Sequence, residues 1–237
     1  RSKIIQRHVD ETIKAGGVTI LNHPNFGWAV QARDVLPVKK LYLFELYNGH
    51  PSVHNFGDPR HPSTEQLWDD LLTQGMTIFG VGSDDAHHFA DWSAKKSNPG
   101  RGWVMVQAEE LSSPALTHAM TKGDFYSSSG VMLKEVVRQP AKIAIEVDEI
   151  ATNKELDSPI LAGRKVKEGK PGYWIEFIGP EGKVIQTSSE TKASCPVNLP
   201  YLRCKVTRRV KGKDGSLREY YAWTQPVFTD SRAKLKR

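Results

Sequence analysis

The chain has 237 residues, 38% of them hydrophobic, with four Met and six Trp, which suits a folded protein with one large core or two smaller ones. No run of about eighteen apolar residues occurs, so no segment reads as a membrane-spanning helix, and no short apolar core of the signal-peptide kind opens the chain. The net charge is +6, but the bases at Arg203 to Arg209, Lys211, Lys213 and Lys234 to Arg237 lack interleaved aromatics, so a solvated strand face explains them better than a nucleic-acid interface.

Ile5, Val9 and Ile13 recur at helical spacing, and Gly16-Gly17 stops that helix before a strand, Gly17 to Leu21, that delivers His23. The chain enters this helix without an initiator Met, which leads to the expectation that further chain precedes Arg1. Leu41 to Tyr47 is a nearly continuous apolar run ending in Asn48-Gly49, the pattern of a strand buried on both faces. Ser63 and Gln66 form a capping box ahead of a helix with Leu67, Leu71 and Leu72 on its inner stripe, closed by Gly75. Met76 to Val81 is the next strand, and Gly82-Ser83-Asp84-Asp85-Ala86-His87 follows directly. A polar loop then leads to Trp103 to Val106, and Ser113-Pro114 opens a helix that ends at Gly123. Repetition of helix, glycine, strand and polar loop predicts parallel α/β architecture, with functional groups at the C-terminal strand ends.

After Leu133 the period changes from helical to alternating, as at Ile143, Ile145 and Val147 and at Leu202, Cys204 and Val206. Gly179 to Gly182 and Lys213-Asp214-Gly215 are turn signals. Residues 134–237 are therefore expected to form a separate antiparallel β-sandwich without helices. Cys195 and Cys204 could pair across a hairpin or remain free.

Divalent metals need carboxylate or neutral imidazole donors held in fixed directions, and strand ends hold side chains rigidly while leaving them accessible. His23, Asp85 and His87 meet that description. In Asp-x-His both side chains leave one side of an extended segment, so they could face one cavity, while Asp84 would face elsewhere and could orient a backbone group or a histidine. Taken singly, Asp84-Asp85 could equally cap a short helix and His23 could be a turn residue before Pro24. Placement of both at the ends of strands in a repeating unit favours a shared metal site.

Asn22-His23-Pro24-Asn25, Phe44-Glu45-Leu46-Tyr47-Asn48-Gly49, Leu67-Trp68-Asp69 and Gly82-Ser83-Asp84-Asp85-Ala86-His87 resemble the later motifs of the PHP superfamily, named for polymerase and histidinol phosphatase. Gly123 to Gly130 is similar to a segment that closes the family's barrel. The resemblance implies an α/β fold, with residues 1–133 the C-terminal portion of a distorted (β/α)7 TIM-like barrel and residues 134–237 the β-sandwich. It also implies a metal-dependent phosphoesterase with two or three Mn, Zn or Fe ions, cleaving a small phosphorylated substrate with a metal-activated water. His23, Asp85 and His87 would then be metal ligands, Glu45 and Asn48 would serve at the catalytic strand end, and His50 and Arg60 would meet substrate. His54 and His61 share the His50 loop, and Arg33 and Arg101 are further phosphate candidates, although surface roles suit each.

The family's opening His-x-His strand has no counterpart, because no His-x-His occurs in the sequence. A missing N-terminal barrel half, in the same or another chain, is the partner this implies, and the polypeptide alone is expected to be inactive. Hydrolysis of a non-phosphate bond is a rival within enzymes. A second reading is a non-catalytic protein built on a degenerate barrel, in which Tyr173, Trp174, Tyr220, Tyr221 and Trp223 of the sandwich recognise a carbohydrate or a partner.

Overall fold

The structure is a computed structural model that describes residues 1–212 and 214–229; Lys213 and the basic tail from Lys234 to Arg237 lie outside the described residues. The first layer holds α1 (Ser2–Lys14), β1 (Ile20–Leu21), α2 (Ala32–Val35), β2 (Leu43–Asn48), α3 (Thr64–Thr73) and β3 (Phe79–Ser83). β1, β2 and β3 form a small parallel sheet in that order, with Leu21 opposite Phe44 and Phe44 opposite Gly80. The expected capping box is present: Ser63 Oγ accepts from Gln66 N at 3.1 Å, and Gln66 Oε1 accepts from Ser63 N at 2.7 Å. β2 is buried on both faces along most of its length, as its apolar run requires.

The remaining elements are β4 (Trp103–Val106), α4 (Ser113–Lys122), β5 (Phe125–Ser128), β6 (Leu133–Gln139), β7 (Lys142–Val147), α5 (Glu149–Leu156), β8 (Arg164–Val166), β9 (Gly172–Ile178), β10 (Val184–Ser188), β11 (Lys192–Pro196), β12 (Tyr201–Lys211), β13 (Leu217–Thr224) and β14 (Val227–Phe228). An eight-stranded sheet runs β10-β9-β12-β13-β5-β4, with β8 on β13 and β14 on β12, and a three-stranded sheet runs β11-β7-β6. Every pairing in these two sheets is antiparallel.

These sheets overturn the expected α/β class and the partial (β/α)7 TIM-like barrel. Among the described residues strands dominate, no barrel closes, and three strands, β1, β2 and β3, pair in parallel. Trp103–Val106, which the repeating unit placed as a further parallel strand, lies antiparallel to β5 with Trp103 opposite Ser128. α4 ends at Gly123, at φ 78° in the left-handed region, and leads straight into β5, which pairs antiparallel with β13 on its other edge as well. Helical spacing fixes the type of an element but not the direction of the strand after it. α5 was also unexpected; Asp148 caps it by accepting from Ala151 N at 2.9 Å, while its sequence has almost no apolar stripe.

Alternation along β12 and β13 builds two cores. Leu202, Cys204, Val206 and Ala222 face Ile143 and Ile145 of the three-stranded sheet, and both cysteines in that core are free thiols. Tyr201, Tyr221 and Trp223 point the other way, onto Phe44, Leu67, Trp68 and Leu71. Arg203 shares this second face and is 1% exposed. Its guanidinium donates from Nε and Nη2 to Asp69 of α3 at 2.8 and 2.7 Å and lies 5.0 Å from the Trp68 ring centre. Lys205 Nζ reaches Glu65 Oε1 at 2.6 Å. Burial alone would raise the Glu65 carboxyl, but Lys205 and then Arg203 outweigh it and hold it at about 2.

A second seam joins β3 to the eight-stranded sheet through side chains. Gln225 Oε1 accepts from Gly80 N and Gln225 Nε2 donates to Gly80 O, both at 2.8 Å. Ser127 Oγ donates to Gly80 O at 2.7 Å and accepts from Gly82 N at 2.9 Å. A Cβ on Gly80 would sit 2.7 Å from the Leu46 side chain of β2, so glycine is required there by packing within the parallel sheet.

Removing one partner of the buried pair leaves the other charge unpaired, so Asp69→Ala should lower unfolding free energy by about 3–5 kcal/mol in urea titrations. Glu65 is depressed from an ordinary 4.5, so its contribution is complete above that pH and is lost as pH falls towards 2. Glu65→Gln should flatten the stability profile between those values, read from chemical denaturation at each pH; an unchanged acid slope would show that this carboxylate is not linked to folding.

Candidate active site

The parallel strands β1, β2 and β3 all end on one side, and their C-terminal ends bring together most of the polar residues singled out in the sequence. Glu45 is the hub. It is 5% exposed, and its carboxylate accepts from His23 N at 2.6 Å, Ser83 Oγ at 2.6 Å and Asn48 Nδ2 at 2.9 Å. One side chain of β2 thereby fixes the chain leaving β1 and the last residue of β3. Among the described residues no Lys, Arg or His forms an ion pair with it.

Asn48 passes the contact on. Its Nδ2 also donates to Asp85 Oδ2 at 3.1 Å, and its Oδ1 accepts from His50 N at 2.7 Å. Its own backbone is clasped by the Asn55 amide, which accepts from Asn48 N at 3.0 Å and donates to Asn48 O at 2.8 Å. Both hydrogens of the Asn48 amide are thus committed to carboxylates 45 and 85, which spaces two negative groups with a neutral donor.

Asp85 Oδ1 lies 3.2 Å from His87 Nε2. Burial tends to raise the Asp85 carboxyl, but the bonds from Asn48 and His87 and the nearby His87 and His50 bring it below the ordinary carboxylate range. The His50 ring stands edge-on to His87, with centres 5.6 Å apart. Ser52 N donates to His50 Nδ1 at 3.2 Å, so the neutral ring carries its proton on Nε2 and presents a donor. Asp84, expected to face away, accepts from Gly100 N at 2.7 Å and closes the base of the following loop.

His23 reaches the cluster through its backbone. Its ring meets Phe26 edge-on at 5.8 Å and, among the described residues, makes no hydrogen bond. His23 and Asp85 both hold positive φ, 29° and 49°, where side chains are strained, and such positions gather at functional sites. His54 and His61 each stack on Trp28, with ring centres 4.8 and 4.2 Å from it. Arg60 is exposed, and among the described residues its guanidinium has no ion-pair partner and no contact with Asp85 or His87. Arg101 is buried and donates to Lys96 O, which leaves it poorly placed for a substrate phosphate.

Ser83 and Asn55 were missed by the sequence reading. Ser83 stood inside the Gly82 to His87 motif, a usable signal; Asn55 carried none, because its role lies in a loop fold that joins residues 48 and 55.

The metal ions implied by the motifs can be tested against this donor set. Asp85, His87 and His23 have the right chemistry, but Asp85 and His87 are bonded to each other and the His23 ring stands with Phe26. Among the described residues no group of three or more His, Cys, Asp or Glu is gathered to hold an ion. The residues present therefore do not fit a complete metal site by themselves. Comparison of the chain with protein-family profiles, with curated proteins and with solved structures returned no match.

Two outcomes are expected. Asn48→Ala should cost about 1–3 kcal/mol in thermal or urea unfolding, because it strips a donor from two carboxylates at once, and Asn48→Asp should cost more by adding a third negative charge. Calorimetric titration of the protein with Mn(II) or Zn(II) should show no stoichiometric binding at micromolar protein; a sharp equivalence point would mean that Asp85, His87 and His23 rearrange to close a site.

Proposed function

We propose that the ends of β1, β2 and β3 form part of the active site of a hydrolase that cleaves phosphate esters. The observation that carries this reading is the Glu45, Asn48 and Asp85 relay, which aligns a carboxylate behind His87 with His50 alongside. Asp85, 3.2 Å from Nε2, orients the His87 imidazole so that it can take a proton from an attacking water. His50 offers its Nε2 hydrogen to an oxygen of the ester. Glu45 and Asn48, with their polar atoms engaged inside the protein, act by holding Asp85 and the strand ends in place.

The resemblance of the strand-end motifs to the PHP superfamily supports the same chemistry, independently of the barrel that the fold does not contain. A divalent ion would supply positive charge that the two carboxylates lack and that a phosphoryl group needs. Any such ion would be held by a further segment of the polypeptide or by another chain, because Asp85 and His87 are already bonded to each other. The carbohydrate-binding alternative finds less support: Tyr173, Tyr220, Tyr221 and Trp223 are buried, and the half-buried Trp174 has Arg209 over its ring at 4.5 Å.

The reading is tested on the full natural protein with phosphate monoesters, diesters and amides as substrates. Hydrolysis of a phosphate ester is expected, and Asp85→Asn and His87→Ala should each lower kcat by about a hundredfold or more. Undiminished turnover in both variants, or cleavage of amides alone, would overturn it.

A further inference from the structure

Arg101 is 6% exposed, yet among the described residues no carboxylate pairs with it. Its one side-chain hydrogen bond there runs from Nη1 to the carbonyl of Lys96. Other arginines drawn into the protein are treated differently. Arg203 grips Asp69 with Nε and Nη2 at 2.8 and 2.7 Å, and Arg138 donates to Asp124 and to the carbonyls of Gly123, Gln225 and Pro226. The same Nε and Nη2 edge of Arg101 has no hydrogen-bond partner among the described residues. A guanidinium taken out of water without an anion is costly, and burial holds Arg101 below its ordinary value.

A second uncommitted donor stands beside it. The Tyr47 hydroxyl, on β2, makes no hydrogen bond among the described residues, and Tyr47 and Arg101 act on each other electrostatically. Burial pushes that hydroxyl up to about 12 against the pull of Arg101, so it keeps its proton at neutral pH and remains a donor. Two glycines let the side chains approach. A Cβ on Gly49 would lie 2.8 Å from the Arg101 Cβ and 3.1 Å from the Asp84 Cα, and a Cβ on Gly102 would lie 2.9 Å from Cδ1 of the Tyr47 ring. Residues 101 and 102 therefore pass against residues 47 and 49 at the end of β2. Tyr47 is only partly buried, so solvent reaches this spot.

We propose that Arg101 and Tyr47 form a binding site for a small carboxylate, held by the Nε and Nη2 edge of the guanidinium with the tyrosine hydroxyl as a third donor. The class follows from shape and charge. That edge matches two oxygens in one plane, as Asp69 shows on Arg203. One negative charge balances one guanidinium, whereas a phosphate dianion would bring a surplus beside Asp84, whose Cα adjoins the same glycine. The site goes beyond the phosphate-ester reading and does not depend on it, since it uses neither Asp85 nor His87. Its occupant completes the anchor of the loop from Asp84 to Gly102, which Arg101 grips at Lys96 O and Asp84 grips at Gly100 N.

The full natural protein is titrated with sodium acetate at an ionic strength held constant with chloride, reading the melting temperature and the NMR line width of isotope-labelled acetate. Acetate is expected to raise the melting temperature above the chloride control and to broaden. Arg101→Lys, which keeps the charge but loses the two-pronged edge, should weaken acetate binding about tenfold. Tyr47→Phe removes one donor to a charged group and should also weaken it about tenfold; it decides the matter where Arg101→Lys does not fold. His87→Ala should leave acetate binding unchanged. Equal melting in acetate and chloride without broadening, or undiminished binding in Tyr47→Phe and Arg101→Lys, would overturn the site. Loss of acetate binding in His87→Ala would put the anion at His87 and overturn it as well. Inorganic phosphate that binds the natural protein and is lost in Arg101→Lys would replace the carboxylate assignment with a phosphate subsite.

Discussion

One buried carboxylate organises the site. Glu45 sits within β2, yet its three hydrogen bonds reach the backbone after β1, the side chain that ends β3 and the amide at the end of its own strand. A carboxylate in a low-dielectric setting is tolerated only when donors surround it, and each such charge-assisted bond is stronger than a neutral one. The strand ends therefore have little freedom to part: separation of any one would leave a negative charge short of a donor. His23, tied to Glu45 through its backbone, and Asp85, tied to Asn48, both hold positive φ beside this hub.

The larger frame is held by different means. α3 meets the eight-stranded sheet through an ionic clamp, Arg203 with Asp69 and Lys205 with Glu65, and β3 meets it through side-chain hydrogen bonds from Ser127 and Gln225. Apolar packing fills the space between, with Tyr201, Tyr221 and Trp223 against Phe44, Trp68 and Leu71. Buried polar seams of this kind add modest stability but fix one register, because a slip would strand several charged and amide groups without partners. The site thus inherits its geometry from contacts with residues 45 to 145 positions away in the chain.

The sequence displayed what is local. The Ser63 and Gln66 capping box, the left-handed Gly123 and the doubly buried run from Leu41 to Tyr47 each rest on a few adjacent residues, and all three are present. Glu45, Asn48, Asp85 and His87 were likewise visible as polar residues at the ends of apolar runs, and they do share one end of the sheet. Strand direction was not visible, since β4 and β5 read the same whether they run parallel or opposed; that extended the expected parallel sheet too far, while the barrel itself was implied by the PHP resemblance. α5 escaped because a helix without an apolar stripe has no periodic signature, only its Asp148 cap. The mutual bonding of Asp85 and His87, and the separation of the His23 ring from them, depend on backbone twists that no spacing rule conveys.

The seam at Gly80 also governs growth of the parallel sheet. An open strand edge normally invites another strand, whether from the same chain, a neighbour or a fibril. Here the amide of Gln225 imitates a neighbouring backbone, taking both the N–H and the carbonyl of Gly80, while Ser127 occupies the N–H of Gly82. That flank is sealed against recruitment. Any strand that came to enlarge this sheet would have to dock beside β1, two residues long and two residues before His23, so that an incoming polypeptide would arrive next to the Glu45 hub.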